Sequence, residues 1–398
     1  MLVEADCWLS MMWKQEAIMD VQTMAVVADQ LGSFPLVSKG RPECCSASPG
    51  RCMIQASCVC GNDEPQLPGL PTQTSFILPF GAKSATGRRP KMEDCDTVVE
   101  ELLTVNVSFL PGENRIPLAL KTHLEQQNAT SNQPSWSEDA LMSAYRNAKG
   151  DRRTSKSTFQ YGAVFDGHGG WTVSSKLSER LHLVVKQMVS DLANSTGDGA
   201  LTLAQIEAGI KRAFVLMDGE LGDLARTVGS TGVVSLISAQ HIIVANCGDS
   251  RAVLFRGRTA CRLSRDHKPS QADEEERVKK AGGRIWDYNG RRVMGLLAMS
   301  RAFGDHCLRS YGIIAEPEVT IIERSPKDEF VILASDGLWD VISDMEACAL
   351  AKRCFDRAQE RGASKDTAAR VAASVLMRAA LDKGSNDNVT VVVVDLSP

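Results

Sequence analysis

The stretch "NVTVVVVDL" at 388–396 is β-branched or apolar at nearly every position. A strand with one face in water alternates polar and apolar residues; this one does not, so it needs cover on both faces. The run "FVILA" at 330–334 reads the same way. A chain with such strands has to place its sheets between other layers. Further strands are expected at 233–238, 242–246 and 251–256. Short connections at Ala239-Gln240 and Gly248-Asp249-Ser250 predict that these three form an antiparallel meander. Apolar residues recur at helical spacing over 173–192, 203–221, 271–281, 344–359 and 366–383. Helix pairs set apart in sequence from strand clusters predict an α+β layered domain.

The strands end in an unusual way. In "YGAVFDGHGG" (161–170) the apolar run stops at Asp166, followed by Gly167, His168 and two further glycines. Asp-Gly is ordinary turn chemistry and could mean no more than a tight turn. The pattern recurs, however, as Glu93 and Asp94 in "RRPKMEDC", Asp336 and Asp340 in "VILASDGLWD", and Asp387 in "GSNDNVTVVV". Asp249 adds one more in the turn of "VANCGDSRAV". Several carboxylates converging at strand ends would repel one another unless a cation neutralised them. Oxygen donors suit hard Mg²⁺ or Mn²⁺, and the cysteines and histidines form no zinc cage. Gly167, lacking a Cβ, would let its carbonyl approach an ion that Asp166 also touches.

Composition narrows the function classes. The chain has 398 residues, 43% of them hydrophobic and 24% charged, as expected of a globular protein with a sizeable core. A net charge of -4 and the lack of a basic stripe with interleaved aromatics argue against nucleic acid. No run of about 18 apolar residues predicts a membrane span. Glu4 and Asp6 stand where a secretory signal would be basic, and the first arginine is Arg41, unlike a mitochondrial leader. A cytoplasmic or nuclear location is therefore expected. Six of the twelve cysteines fall in the first sixty residues without paired C-x2-C spacing, so no zinc site is expected there. Residues 1–73 read as a poorly ordered extension rich in Cys, Ser and Pro, and 74–397 as the folded domain, with a loose polar insertion near 112–157.

Eight stretches, in order, resemble the metal-dependent protein serine/threonine phosphatases of the protein phosphatase 2C family, in their land-plant form. They are "GRRPKMED", "YGAVFDGHGG", "GSTGVVSLI", "VANCGDSRAVL", "LSRDHKP", "LAMSRAFGD", "EFVILASDGLWDVIS" and "GSNDNVTVVVVDL". The resemblance implies a four-layer α/β/β/α sandwich of two mainly antiparallel sheets flanked by helix pairs. It also implies hydrolysis of phosphoserine and phosphothreonine in proteins by water activated at two Mg²⁺ or Mn²⁺ ions, with a weaker third ion. Carried over by motif, Asp166 bridges both ions, and the Gly167 carbonyl, Asp336 and Asp387 complete the direct ligands. Glu93 and Asp94 act through coordinated waters, while Asp249, Asp336 and Asp340 match the third-ion position. Arg89, rather than Arg88, takes the phosphate-binding role. His168 is placed to protonate the leaving oxygen. The implied partners are phosphoprotein substrates and kinases, with the chain acting as a monomer in signalling.

Other candidates read differently. His267 in "RDHKP" is expected to be structural, and Asp305 in "RAFGD" to support the centre by hydrogen bonding rather than as a ligand. The run "ADEEERVKK" is expected to be a solvated helix face. The segment around "RIWDYNG" resembles the flap with which some plant members engage hormone receptors through a tryptophan. Here Tyr288 stands at that position, which argues against receptor binding, and Trp286 is expected to pack the flap or meet substrate.

Overall fold

The computed structural model describes residues 77–130, 151–287 and 290–397. The first half of the domain runs β1 (Phe80–Ala85), β2 (Cys95–Phe109), α1 (Leu118–Thr130), β3 (Arg153–Phe165), β4 (Gly167–His168), α2 (Thr172–Ser195), β5 (Ala200–Thr202) and α3 (Leu203–Glu220). Next come β6 (Gly229–Ser230), β7 (Gly232–Ile237), β8 (His241–Cys247), β9 (Arg251–Arg256), β10 (Thr259–Arg262), α4 (Ala272–Lys280), β11 (Ile285–Asp287), β12 (Arg291–Val293) and β13 (Phe303–Gly304). The chain ends in β14 (Glu318–Glu323), β15 (Asp328–Ala334), α5 (Asp336–Trp339), α6 (Asp344–Glu360), α7 (Lys365–Asp382) and β16 (Val389–Asp395).

Two large sheets form the middle of the domain, in the orders β1-β16-β15-β9-β10 and β14-β8-β7-β3-β2-β5. The alternation of side chains along each strand explains why both faces are apolar. Val164 of β3 joins Val233, Val244, Leu254, Val331 and Val392 in a core shared by the two sheets. Its neighbours Ala163 and Phe165 belong, with Val234 and Ile243, to a second core closed by Leu177, Leu181, Ile210 and Phe214 of α2 and α3. On the opposite side Phe330 of β15 stacks between Phe255, at 5.1 Å, and Phe355 of α6, at 5.2 Å. The alanine-rich α7 lies so close to β1 that a Cβ on Gly81 would come within 2.3 Å of its backbone. The layers are therefore helix pair, sheet, sheet, helix pair, as expected. Each fully buried leucine or valine in them contributes about 1.5–3 kcal/mol.

Two expectations are corrected. β7 and β8 do form an antiparallel pair, but β9 leaves them and pairs with β10 and β15 in the other sheet. Gly248-Asp249-Ser250 is thus a corner between sheets and not a meander turn. Strands this thoroughly buried carry no sign of which sheet they join. Gly248 makes the corner possible: its φ is +112°, and a Cβ there would lie 2.7 Å from Thr231. The stretch 112–157 is also less loose than its polarity suggests. It holds α1, anchored by buried Leu120 and Leu124, and the start of β3 at Arg153. The extension 1–73 and residues 131–150 lie outside the described residues. Among the described residues no helix is long and apolar enough to cross a membrane.

One buried group sets an acid limit on this fold. His241, at the start of β8, is fully buried edge-on to Phe109 at 4.7 Å, and neither ring nitrogen has a partner. Burial pushes its pKa down to about 4. The fold therefore holds it neutral, and stability is lost as pH falls from about 6.5, its value when unfolded, toward that folded value. Between pH 7 and pH 5 the loss from this residue should be about 2 kcal/mol. Urea unfolding of His241→Leu at the two pH values should show that slope flattened; an unchanged slope would assign the acid sensitivity elsewhere.

Candidate metal centre

Strand register brings the acidic residues to one end of the sandwich. Cys95 pairs with Phe165, so Asp94 and Asp166 lie one residue beyond the same rung of β2 and β3. Ala334 of β15 is flanked by Val391 of β16 and Arg251 of β9. Asp336, Asp387 and Asp249, just outside those strands, consequently emerge at the same end. They border a cavity of about 810 Å³ that also takes in Arg89, Glu93, Gly167, His168 and Asp340. Asp94 is one step behind the wall, where its Oδ2 accepts a hydrogen bond from Ser335 Oγ at 2.9 Å. Arg88 points elsewhere, to Asn386 at 3.1 Å.

Burial, followed by repulsion from Asp94, Asp336, Asp249 and Asp387, drives the pKa of Asp166 well above the carboxylate range. Burial also lifts Asp336 to about 8, with Asp249, Asp340 and Asp387 adding to the shift and Lys268 opposing it. Asp94 rises to about 6, again through burial, against the hydrogen bonds of Ser335 and Thr390. Burial raises Asp340 as well. Two cations answer part of this charge. Arg89 Nη2 is 2.6 Å from Asp387 Oδ2, and the Lys268 ammonium is paired with Asp249.

The surplus negative charge, the all-oxygen donor set and the buried, unpartnered Oδ1 atoms of Asp94 and Asp249 fit a hard divalent ion. Among the described residues no three acidic, histidine or cysteine side chains already form a closed cage. Asp387 and Asp249 are held on Arg89 and Lys268, partners that a divalent ion would have to replace.

The scaffold around these groups is tight. A Cβ on Gly167 would fall 2.4 Å from the Glu93 carbonyl oxygen, which Ser174 Oγ already occupies as donor at 2.5 Å. Asn388 clamps the loop carrying Arg89 and Glu93. Its Oδ1 accepts from Glu93 N at 2.7 Å, and its Nδ2 donates to the carbonyls of Thr86 and Lys91 at 2.7 and 3.0 Å. His168 Nε2 is 2.6 Å from Asp305 Oδ2. His267 is buried away from the cavity, where its Nδ1 accepts from Gly248 N at 3.1 Å and braces the corner that carries Asp249. Trp286 is half exposed on β11 and covers Gly295 with its ring; Tyr288 lies outside the described residues. Sequence reasoning passed over Lys268 and Asn388. Each adjoins a residue that was singled out, in "DHKP" and "NDNV", but neither is acidic, and only the folded chain sets Lys268 against Asp249 and Asn388 against the backbone of the Glu93 loop.

Comparison with known proteins places these features in context. The family model described as "Protein phosphatase 2C" matches residues 126–389. The chain is 48% identical over 252 residues to "Probable protein phosphatase 2C 8" of Oryza sativa subsp. japonica, covering 59% of this chain and 62% of that one. It is 38% identical over 334 residues to "Protein phosphatase 2C 77" of Arabidopsis thaliana, covering 80% and 71%. Among solved structures it resembles a sex-determining protein of C. elegans, with TM-score 0.57, 22% identity, and coverage of 82% of this chain and 67% of that one. It also resembles serine-threonine phosphatase 2C from Toxoplasma gondii, with TM-score 0.55, 19% identity, and coverage of 82% and 97%. At these identities the structures speak for the fold.

The crowding of carboxylates predicts a stability cost in metal-free protein. Because the fold raises the pKa of Asp166, the cost is absent below about pH 4 and grows as pH rises. Asp166→Asn should therefore stabilise chelator-treated protein by at least about 1 kcal/mol at pH 7. Urea titrations in EDTA at pH 5 and pH 8 should find the larger gain at pH 8; a destabilised variant at both would contradict the repulsion.

Proposed function

This chain belongs to the protein phosphatase 2C family, of plant type, and from that membership and the geometry of its acidic cavity we propose that it hydrolyses phosphoserine and phosphothreonine monoesters in proteins. The observation that carries the reading is the concentration of buried carboxylates at one cavity wall, beside an arginine and a histidine. Asp166, the Gly167 carbonyl, Asp336 and Asp387 would hold two Mg²⁺ or Mn²⁺ ions, with Glu93 and Asp94 acting through water. Asp249 and Asp340, with Asp336, would serve a weaker third position. Bound ions of this kind make water nucleophilic near neutral pH and take up charge on phosphoryl oxygens.

The chain's own residues do the rest. Arg89 offers a planar fork suited to two phosphate oxygens, and an ion taken up by Asp387 would release it from that pair to meet the phosphate. His168 supplies the proton that a departing serine or threonine oxygen requires. The polar wall would take the phosphate, while Leu296, Leu297 and Met299 line another part of the cavity and would meet flanking substrate residues. Phosphoproteins of signalling, kinases among them, are the substrates this reading favours, with the chain acting as a monomer. A cavity this acidic is a poor host for a polynucleotide, whose many phosphates would bring repulsion that a single monoester meets only once.

Dialysis against EDTA should abolish hydrolysis of a phosphothreonine peptide, and Mn²⁺ or Mg²⁺ should restore it. An oligonucleotide tested alongside should remain intact. Arg89→Ala should raise KM for the peptide by roughly tenfold or more with a smaller effect on kcat, as expected for a group that binds phosphate in ground and transition states alike. Full activity after exhaustive chelation would contradict the metal assignment, and binding of the peptide without turnover in Mn²⁺ would make the protein a binding module.

A further inference from the structure

The β11–β12 hairpin sends two consecutive arginines in opposite directions. Arg291 Nη2 reaches Glu275 Oε1 of α4 at 2.7 Å. Arg292, on the other face of β12, lines the acidic cavity instead. Arg277, Arg301 and Arg309, from the same part of the chain, each hold a carboxylate. Arg292 holds none among the described residues. Its side chain is tied only from Nη1 to the carbonyl oxygen of Leu296, at 2.8 Å.

The backbone around it is built to hold that guanidinium still. In the hairpin register Ile285 stands opposite Val293, and Trp286 opposite Arg292. The first pair turns inward: Val293 is fully buried with Val278, Leu297, Met299 and Leu308, and Ile285 packs against them. Trp286 and Arg292 therefore share the outer face. After β12 the chain doubles back through two successive left-handed residues, Met294 at φ +53° and Gly295 at φ +74°. Methionine takes such a backbone only at a cost. Val293 N donates to the Leu297 carbonyl at 2.8 Å and closes the turn. A Cβ on Gly295 would meet the Trp286 ring at 3.1 Å, so the ring covers the turn from outside. The outcome is an exposed Leu296 on the cavity rim, beside the guanidinium that its own carbonyl fixes.

We propose that Arg292 is a specificity-determining residue: it selects phosphoprotein segments that carry an aspartate or glutamate close to the phosphorylated residue. This rests on the phosphatase reading above. With Nη1 held by the Leu296 carbonyl, Nε and Nη2 remain, the edge on which a guanidinium grips a carboxylate side-on through two parallel hydrogen bonds. Arg89 and Lys268 stand on Asp387 and Asp249, and Arg292 adds to neither pair. One cavity holds Arg89 and Arg292, so a phosphate at the first and a carboxylate at the second can belong to one short stretch of substrate. A neutral side chain gains nothing at this point, whereas a carboxylate gains a charge-assisted pair. Leu296 beside it keeps water from part of that pair, which strengthens it.

The probe is a set of phosphothreonine peptides in which glutamate replaces alanine at each position in turn on both sides of the phosphate. With Mn²⁺ saturating, glutamate at one position, or at two neighbouring ones, should raise kcat/KM of the wild type about three- to tenfold, chiefly through KM. Arg292→Gln keeps a donor for the Leu296 carbonyl without the charge and should remove that preference. Arg292→Lys, a charge without the fork, should keep part of it, and Arg292→Glu should favour lysine at the same position. Each ratio is taken within one protein, so a general loss of activity cancels. The preference should also shrink as salt is raised, as a charge pair does and a purely structural role does not. An active wild type indifferent to glutamate at every position would overturn the role of Arg292, and so would a preference that survives in Arg292→Gln. A wild type inactive toward all the peptides and toward p-nitrophenyl phosphate would instead overturn the phosphatase reading itself.

Discussion

Repulsion among carboxylates that the fold buries together is the constraint on which the rest of the structure depends. Asp166 has Asp94, Asp336, Asp249 and Asp387 all close enough to raise its pKa, and burial strips away the water that would screen them. Uncompensated, such a cluster would favour opening of that end of the sandwich. Arg89 and Lys268 answer it from the two sides, each on a different aspartate. Neither cation is deeply buried: Arg89 is 56% exposed and Lys268 35%. Both pairs are therefore partly screened by solvent and can give way to a stronger partner. The same arrangement offsets part of the repulsion and leaves the carboxylates free to exchange partners.

The two-sheet core makes this tolerable. Val164, Val233, Val331 and Val392 lock the sheets together directly behind the acidic end, so the strand termini cannot spread to relieve the repulsion. The loops are pinned just as firmly. Asn388 ties the Arg89 loop to β16 through three hydrogen bonds, and Ser335 serves both Asp94 and the backbone N–H of Thr390. Rigid placement of charge of this kind is what allows a site to stabilise a transition state without reorganising.

Much of this was legible in the sequence, for a physical reason. Runs such as Val389–Asp395 and Asp328–Ala334 are apolar at nearly every position, which fixes them as buried strands within a residue or two. The helices 203–221 and 344–359 likewise match Leu203–Glu220 and Asp344–Glu360, where Thr202 and Ser343 cap the first turns. Every predicted site residue except Asp94 lines the cavity, and Asp166, Asp336, Asp387 and Asp249 lie beside strands that could be recognised. Connectivity was less readable. The corner at Asp249 passed for a hairpin turn because the strands on both sides are buried. α1 was hidden by its polar sequence, which needs only Leu120 and Leu124 to anchor it. Lys268 and Asn388 matter through a side-chain direction that no spacing encodes, and the left-handed backbone of Met294 has no signature beyond the glycine after it.

The charge run "ADEEERVKK" shows how far a local reading can mislead. As a solvated face it would be expendable, and Lys279 with Glu275 fits that description. Glu274 does not. It is completely buried, and although burial alone would raise its pKa, the guanidiniums of Arg277 and Arg301 hold it far below the usual carboxylate range. Ser300 Oγ donates to the same carboxylate at 2.5 Å. The backbone N–H of Ser300 in turn donates to the His267 carbonyl at 2.8 Å, and His267 braces Gly248, next to Asp249. A buried charge with so many donors gains little net stability over an apolar residue, because desolvation offsets most of the attraction. What it does supply is register. Removing the Glu274 charge would take the nearest carboxylate from two partly buried guanidiniums at the point where α4, Arg301 and the Asp249 corner meet. The ionic cluster therefore ties the segment leading to Asp305 and the corner bearing Asp249 to one helix, so that two sides of the cavity share a common frame.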